Sequence, residues 1–230
     1  DDLPECVQTK EFANLTREQA GLYEHVVGKM IGEVERSDGI QRRGLVLSTL
    51  VKLKQICNHP AHYAQAGHRD GAPMPEVSAP GLQTGRSGKT NRLISLLEEV
   101  LATGEKALVF TQFREMGRLL TAMIQHDLDC ETQFLHGGTP TRRRQQMIDR
   151  FQDDEGGIPV FILSLKAGGV GLNLTAANHV FHYDRWWNPA VEAQAIDRAH
   201  RIGQTRHGFA YRLICEDTVE QRIIELQEKK

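Results

Sequence analysis

From Ser87 onward, short apolar runs alternate with longer stretches whose apolar residues recur every three or four positions. The short runs predict strands at Ala107–Thr111, near Thr132–Leu135, at Val160–Ser164, at Val180–Tyr183 and at Phe209–Ile214. The periodic stretches predict helices from Lys89 to Ala102, Arg114 to His126, Arg142 to Phe151, and Pro189 to His200. A last helix begins at Thr218 and is still running at Lys230. Strands apolar on both faces, alternating with helices, predict an α/β domain whose parallel sheet is covered on both sides. In such sheets the working residues collect on loops at the carboxyl ends of the strands.

Ahead of this region the pattern is mostly helical. Thr16, with Gln19 three residues on, predicts a capping box opening a helix from Arg17 to about Val34. Leu22, Val26, Val27, Met30 and Ile31 supply its apolar spacing, and a second helix runs from about Arg43 to Cys57, ended by Pro60. Between Ala61 and Gly88 glycine and proline dominate and periodicity disappears, so this segment reads as a surface loop. The expected organisation is therefore a helical N-terminal segment at 1–60, a linker at 61–87, an α/β domain at 88–215 and the start of a bracing helix at 216–230.

Composition adds little. The chain has 230 residues, with 40% hydrophobic and 25% charged, the values of an ordinary globular protein. No apolar run reaches the roughly 20 residues that span a bilayer. The net charge of −2 gives no general attraction for nucleic acid, so any such role must come from local clusters. Cys6, Cys57, Cys130 and Cys215 are far apart and form no CxxC, which points to a reducing compartment.

Several motifs suggest chemistry. Gly85-Arg-Ser-Gly88-Lys89-Thr90 looks like a phosphate loop, but Gln83 stands where the first glycine belongs and no strand precedes it. A helix start capped by Ser87 is the expected reading. Cys57, His59, His62 and His68 fit no common structural zinc spacing; a packed thiol and a capping histidine account for the first two. Arg142, Arg143 and Arg144 read equally as a phosphate patch or a solvated first turn.

The strongest signal lies between Leu163 and Gln204. Ser164-Leu-Lys166-Ala-Gly168-Gly169-Val-Gly171-Leu-Asn173 follows a strand directly, and its glycines allow close backbone approach to a phosphate. Gln194, Arg198 and Arg201 stand at i, i+4 and i+7, which would place an amide and two guanidiniums on one helical face. Asp184-Arg-Trp186-Trp187-Asn188-Pro189 precedes that helix.

With these motifs in this order, the chain resembles the second RecA-like lobe of Swi/Snf-type ATPases, within superfamily-two helicases. Leu108-Val-Phe-Thr-Gln-Phe113, Leu135-His-Gly137-Gly-Thr139 with Arg144 and Phe151, Ser164 to Thr175, the tryptophan motif, and Gln194 to Gln204 carry the resemblance. So does Leu53-Lys-Gln-Ile-Cys57-Asn-His59-Pro60 upstream.

The resemblance implies a three-layer RecA-like (P-loop NTPase-type) fold with a helical N-terminal appendage. It implies that Arg198 and Arg201 are arginine fingers reaching ATP held by a first lobe, with Gln194 orienting that site. Gly169, Gly171 and Asn173 would border the ATP. Ser164, Lys166, Gly168, Gly169, Thr111, Gln112, His136, Gly137 and Trp187 would contact DNA, while Arg144 would brace the lobe and Trp186 would pack. ATP and Mg2+ would be held mainly by the first lobe, and this fragment alone would require neither. The implied partners are double-stranded DNA, the N-terminal RecA-like lobe and a protein–DNA complex as remodelling target. The wording Arg-Trp-Trp-Asn-Pro is closer to bacterial members, which implies a cytoplasmic, nucleoid-associated protein; a eukaryotic one would be nuclear. The alternatives are a non-catalytic docking module or the lobe of an RNA helicase.

Overall fold

Six strands form one wholly parallel sheet in the computed structural model, which describes residues 4–65, 83–153, 157–164, 172–184, 186 and 188–228. The strands are β1 (Cys6–Ala13), β2 (Ala107–Thr111), β3 (Thr132–Leu135), β4 (Val160–Ser164), β5 (His179–His182) and β6 (Gly208–Cys215). Their order across the sheet is β1-β6-β5-β2-β4-β3. The helices are α1 (Arg17–Val34), α2 (Gly39–Asn58), α3 (Pro60–Gln65), α4 (Gly88–Ala102), α5 (Arg114–Leu128), α6 (Thr141–Gln152), α7 (Pro189–Ala199) and α8 (Val219–Glu228).

Every residue of β2, β4 and β5 is buried, because alternate side chains feed two separate cores. Ala107, Val109, Val160, Ile162 and Phe181 pack with Leu93, Leu97, Leu120 and Met123 of α4 and α5. Leu108, Phe110, Phe161, Leu163 and Val180 pack on the other face with Phe151 of α6 and Ala195 and Ile196 of α7. Helices on both faces make the three-layer α/β architecture, which is the expected RecA-like fold. A third cluster joins Val26, Leu53 and Ile56 of the N-terminal helices to Val219 at the start of α8.

Local chemistry accounts for most boundaries. The Thr16 side chain accepts from Gln19 N while the Gln19 side chain accepts from Thr16 N, a complete capping box for α1. Ser87 caps α4 by accepting from Thr90 N. Asn188 caps α7 by accepting from Ala190 N, with Pro189 in the first turn.

Four sequence expectations need correction. The N-terminal segment is not helical throughout: β1 precedes α1 and forms the sheet edge beside β6. Pro60 does not close the helical region, since it opens α3; the break falls at His59, whose extended backbone ends α2. The linker reading of 61–87 is also too long, because α3 reaches Gln65 and a 3-10 turn spans Thr84–Arg86. The helix beginning at Pro189 stops at Ala199. Most of the expected glycine-rich loop, 165–171, lies outside the described residues, as does 66–82.

Candidate nucleotide and nucleic-acid face

Because all six strands are parallel, their carboxyl ends lie along one edge of the sheet. Thr111 ends β2 and Gln112 follows it, His136 and Gly137 follow β3, Ser164 ends β4, and Asp184 comes after β5. Thr111 and Ser164 are direct neighbours in the ladder. Of the residues predicted to work here, Lys166, Gly168, Gly169, Gly171 and Trp187 lie outside the described residues.

The described residues divide by exposure. Asn173, Gly137, Gln194 and Arg201 are exposed, and Gln112 and His136 are half-buried. Ser164 is buried at the strand end. Thr111 departs from expectation: its side chain is wholly buried and donates its hydroxyl to Asp184 Oδ2 at 2.5 Å. That hydroxyl holds Asp184 and is not presented to a phosphate. Gln112 N donates to Asp184 Oδ1 at 2.8 Å, so the carboxylate fixes the turn leaving β2. Burial raises the Asp184 carboxyl above its ordinary value, opposed by Lys54, the Thr111 hydroxyl, Gln112 N and Lys89.

The arginines also depart from a single helical face. Arg198 is in the last turn of α7 and is 9% exposed, with its guanidinium 5.7 Å from the centre of the Phe110 ring. Burial lowers its pKa. Arg201 lies beyond the helix, after His200 leaves helical geometry at φ −95° and ψ 80°, and its side chain faces solvent. One arginine is thus seated in the lobe while the other projects from a turn.

That turn is tightly held. Gly203 adopts φ +103°, a conformation open to glycine and costly for other residues. Gln204 is buried and its amide donates to the carbonyls of Thr175, Ala177 and Ala199. Leu174 N donates to Arg198 O at 3.0 Å. The 172–177 segment and the end of α7 are therefore one hydrogen-bonded unit. The backbone of Trp186 is held at both ends: its N donates to Glu192 Oε1 and its O accepts from Gln227, while Arg212 Nε lies 3.3 Å from Glu192 Oε2. Trp186 is half-buried, as packing would require.

Sequence reasoning gives no role to Gln204, Glu192, Asn58 or Asp184. Each makes partners far away in sequence, so no local spacing signals them. Arg144 is half-buried with its Nε shielded from solvent, while Arg142 and Arg143 are exposed.

The segment that imitates a phosphate loop is committed to packing. A Cβ on Gly88 would meet Asn14 O at 2.0 Å. Lys89 Nζ is wholly buried, 2.5 Å from Glu220 Oε1 and 3.1 Å from Asn58 Oδ1. Burial alone would lower the lysine pKa, but Glu220, with Cys215 and Cys57, holds it above the ordinary value. The Thr90 hydroxyl bonds to the Tyr183 hydroxyl at 2.7 Å. The ammonium and the hydroxyl that would serve a nucleotide in a true phosphate loop are thus both engaged inside the protein.

Among the described residues, the group able to ligate a metal is Cys57, Cys215 and Glu220. The Lys89 ammonium already neutralises it, and thiols do not suit Mg2+, which takes oxygen ligands. This cluster therefore does not fit a magnesium site. His59 caps α3, accepting from Ala61 N at Nδ1, so it is committed to that turn rather than to zinc. His62 lies wholly buried against the Phe113 ring, and His68 is outside the described residues.

Comparison with known proteins identifies the fold and the family. The helicase conserved C-terminal domain model matches residues 88–203. A putative ATP-dependent helicase/translocase, YwqA of Bacillus subtilis, is 43% identical over the whole chain, which covers 23% of that protein. The mouse SWI/SNF-related regulator of chromatin subfamily A member 1 is 37% identical over 99% of the chain, which covers 21% of it. The chain thus spans under a quarter of the length of these relatives. The Sulfolobus solfataricus SWI2/SNF2 ATPase core in complex with dsDNA superposes with a TM-score of 0.83 at 38% identity, covering all of this chain and 45% of that one. The separate C-terminal domain of the Sulfolobus ATPase gives 0.78 at 36% identity, with 97% and 86% covered. The chain belongs to the helicase conserved C-terminal domain family, as a second RecA-like lobe of the SWI/SNF type.

Proposed function

We propose that this lobe works within a longer two-lobe enzyme that converts ATP hydrolysis into movement along double-stranded DNA. Arg201, exposed on the turn past α7, is the residue that reaches the ATP held by the first lobe. Its charge meets the negative charge that accumulates on the transferring phosphoryl group. Arg198 lies against Phe110 and serves the same charge from a seated position once the lobes close. Gln194 and Asn173 border the nucleotide from α7 and the 172–177 segment.

The opposite edge of the sheet, at the carboxyl ends of β2, β3 and β4, meets DNA. Gln112, His136 and Gly137 are the candidate contacts among the described residues, with Ser164 at the strand end, and Lys166, Gly168, Gly169 and Trp187 are the further candidates. Such contacts go to the backbone and position without reading sequence. ATP and Mg2+ belong mainly to the first lobe; the isolated chain requires neither and is inactive on its own. A protein–DNA complex is the object moved or remodelled. The domain boundaries that suit this role are 88–215 for the motor fold, with the preceding helices and α8 bracing it.

The observation that carries the proposal is the placement of one solvent-facing arginine beside one seated arginine on a rigid turn, where His200 reaches Pro4 O before β1 and Gln204 reaches Ala177 O before β5, at the amino ends of the strands. The test is DNA-stimulated ATP hydrolysis by the full-length protein, wild type against Arg201→Ala. Lost turnover with retained ATP binding supports the finger role; unchanged turnover refutes it and favours a docking module.

A further inference from the structure

Helix α8 is connected to the turn after β2 by an unbroken line of buried polar groups. Glu220, in the first turn of α8, accepts from Lys89 Nζ at 2.5 Å. The same ammonium donates to Asn58 Oδ1 at 3.1 Å. The Asn58 amide donates through Nδ2 to Asp184 Oδ2 at 3.2 Å. Asp184 then receives the Thr111 hydroxyl on Oδ2 and Gln112 N on Oδ1. Glu220, Lys89, Asn58 and Thr111 have no solvent exposure, and Asp184 has 1%. Five segments that are distant in sequence meet along this path.

We propose that Asn58 and Asp184 are positioning residues that transmit the placement of α8 to Gln112 on the nucleic-acid-facing edge. The chemistry fixes the direction of each link. The Asn58 oxygen must face the ammonium and its NH2 must face the carboxylate, because the reverse would set donors against donors and acceptor against acceptor. Its backbone carbonyl is occupied as well, accepting from the Ser87 and Tyr183 hydroxyls, so the asparagine cannot shift without breaking several bonds. In a buried site such bonds are strong and costly to leave unmade. A small change at Glu220 is therefore passed on rather than absorbed by water. Asp184 is also the first residue of the tryptophan motif. The consequence for DNA rests on the function proposed above, whereas the coupling itself does not.

The test separates the two. In this chain, Glu220→Gln removes the charge that orients Lys89 while keeping shape. The backbone amide of Gln112 is followed by two-dimensional NMR and hydrogen exchange, with the Leu135 amide on the far strand as reference. The expected result is a shifted Gln112 resonance with the Leu135 resonance unmoved, and a Gln112 exchange rate raised by more than that of Leu135, which reports the global loss of stability. Thr111→Val tests the last link, and Thr111→Ser, which retains the hydroxyl, restores the wild-type signal. Binding to a fluorescent DNA duplex, measured well below each variant's melting temperature, is expected to weaken about three- to tenfold in Glu220→Gln and Thr111→Val. A Gln112 amide unchanged in Glu220→Gln, while the Cys215 amide beside Glu220 shifts, overturns the relay. A shifted Gln112 amide in a chain whose wild type binds no duplex upholds the relay and removes the DNA reading alone.

Discussion

The Lys89 ammonium and the Glu220 carboxylate form an ion pair that is shut off from solvent on both sides and joins α4 to α8. A buried pair of this kind is weak evidence of stability in itself, but removing one partner strands a charge. Lys89→Met and Glu220→Gln are each expected to destabilise the chain by about 3–5 kcal/mol, and the double variant carrying both substitutions by clearly less than their sum. Urea unfolding of the four proteins gives the comparison. Additive losses would mean that the two side chains act separately.

Gly88 and Gly117 make a second prediction because both are tight, but against different neighbours. A Cβ on Gly88 would lie 2.0 Å from the backbone oxygen of Asn14, whereas on Gly117 it would lie 2.3 Å from the tip of the Phe134 ring. Backbone joining β1 to α1 cannot step aside as a half-buried ring can. Gly88→Ala is expected to cost more than the usual range of about 1–3 kcal/mol for overpacking, and Gly117→Ala to stay within it. Thermal melts of the two variants rank them; the opposite order would show the β1–α1 connection to be pliant.

The surroundings of Gly88 also show what is legible in the sequence. The Ser87 cap and the leucine spacing after it are local signals, and α4 begins one residue from its expected start. The central strands are legible because both of their faces are apolar. Strand β1 is not, since an edge strand is partly solvated and its partner β6 lies at the other end of the chain. At the site, helical spacing on paper carries through His200 to Arg201, although the chain leaves helical geometry there. Thr111 is expected to contact a phosphate because nothing near it in sequence reveals the Asp184 carboxylate that takes its hydroxyl. Side chains with local causes are legible; those held by distant partners are not.

His62 predicts a pH dependence. It is wholly buried beside Phe113, and burial, with His59 and Lys89, depresses its pKa to about 3. The unfolded chain takes up this proton near pH ~6.5 and the folded one does not. Its contribution is thus complete above about pH 6.5 and is lost as the pH falls toward about 3. Relative to pH ~7, wild type is expected to lose about 2 kcal/mol by pH ~5 from this residue. His62→Leu removes that share, so the urea midpoints of wild type and variant should diverge between about pH 7 and pH 5. Parallel midpoints would mean that the histidine gains a proton without opening the core.

Arg198 and Arg201 differ in what their loss should do. Arg201 faces solvent, so Arg201→Ala is expected to leave stability within about 0.5 kcal/mol of wild type. Arg198 is packed over Phe110, so Arg198→Ala removes a cation–π contact worth about 1 kcal/mol and exposes part of the ring. In the full-length protein both changes should lower DNA-stimulated ATP turnover by roughly a thousandfold or more, the range for an arginine that stabilises phosphoryl transfer. ATP affinity should change little, because such a residue acts on the transition state. Lysine at 201 should rescue poorly, since a single ammonium lacks the planar fork of donors that matches phosphoryl oxygens. If Arg201→Ala keeps full turnover while Arg198→Ala loses it together with stability, the exposed arginine is dispensable and the seated one acts through the fold.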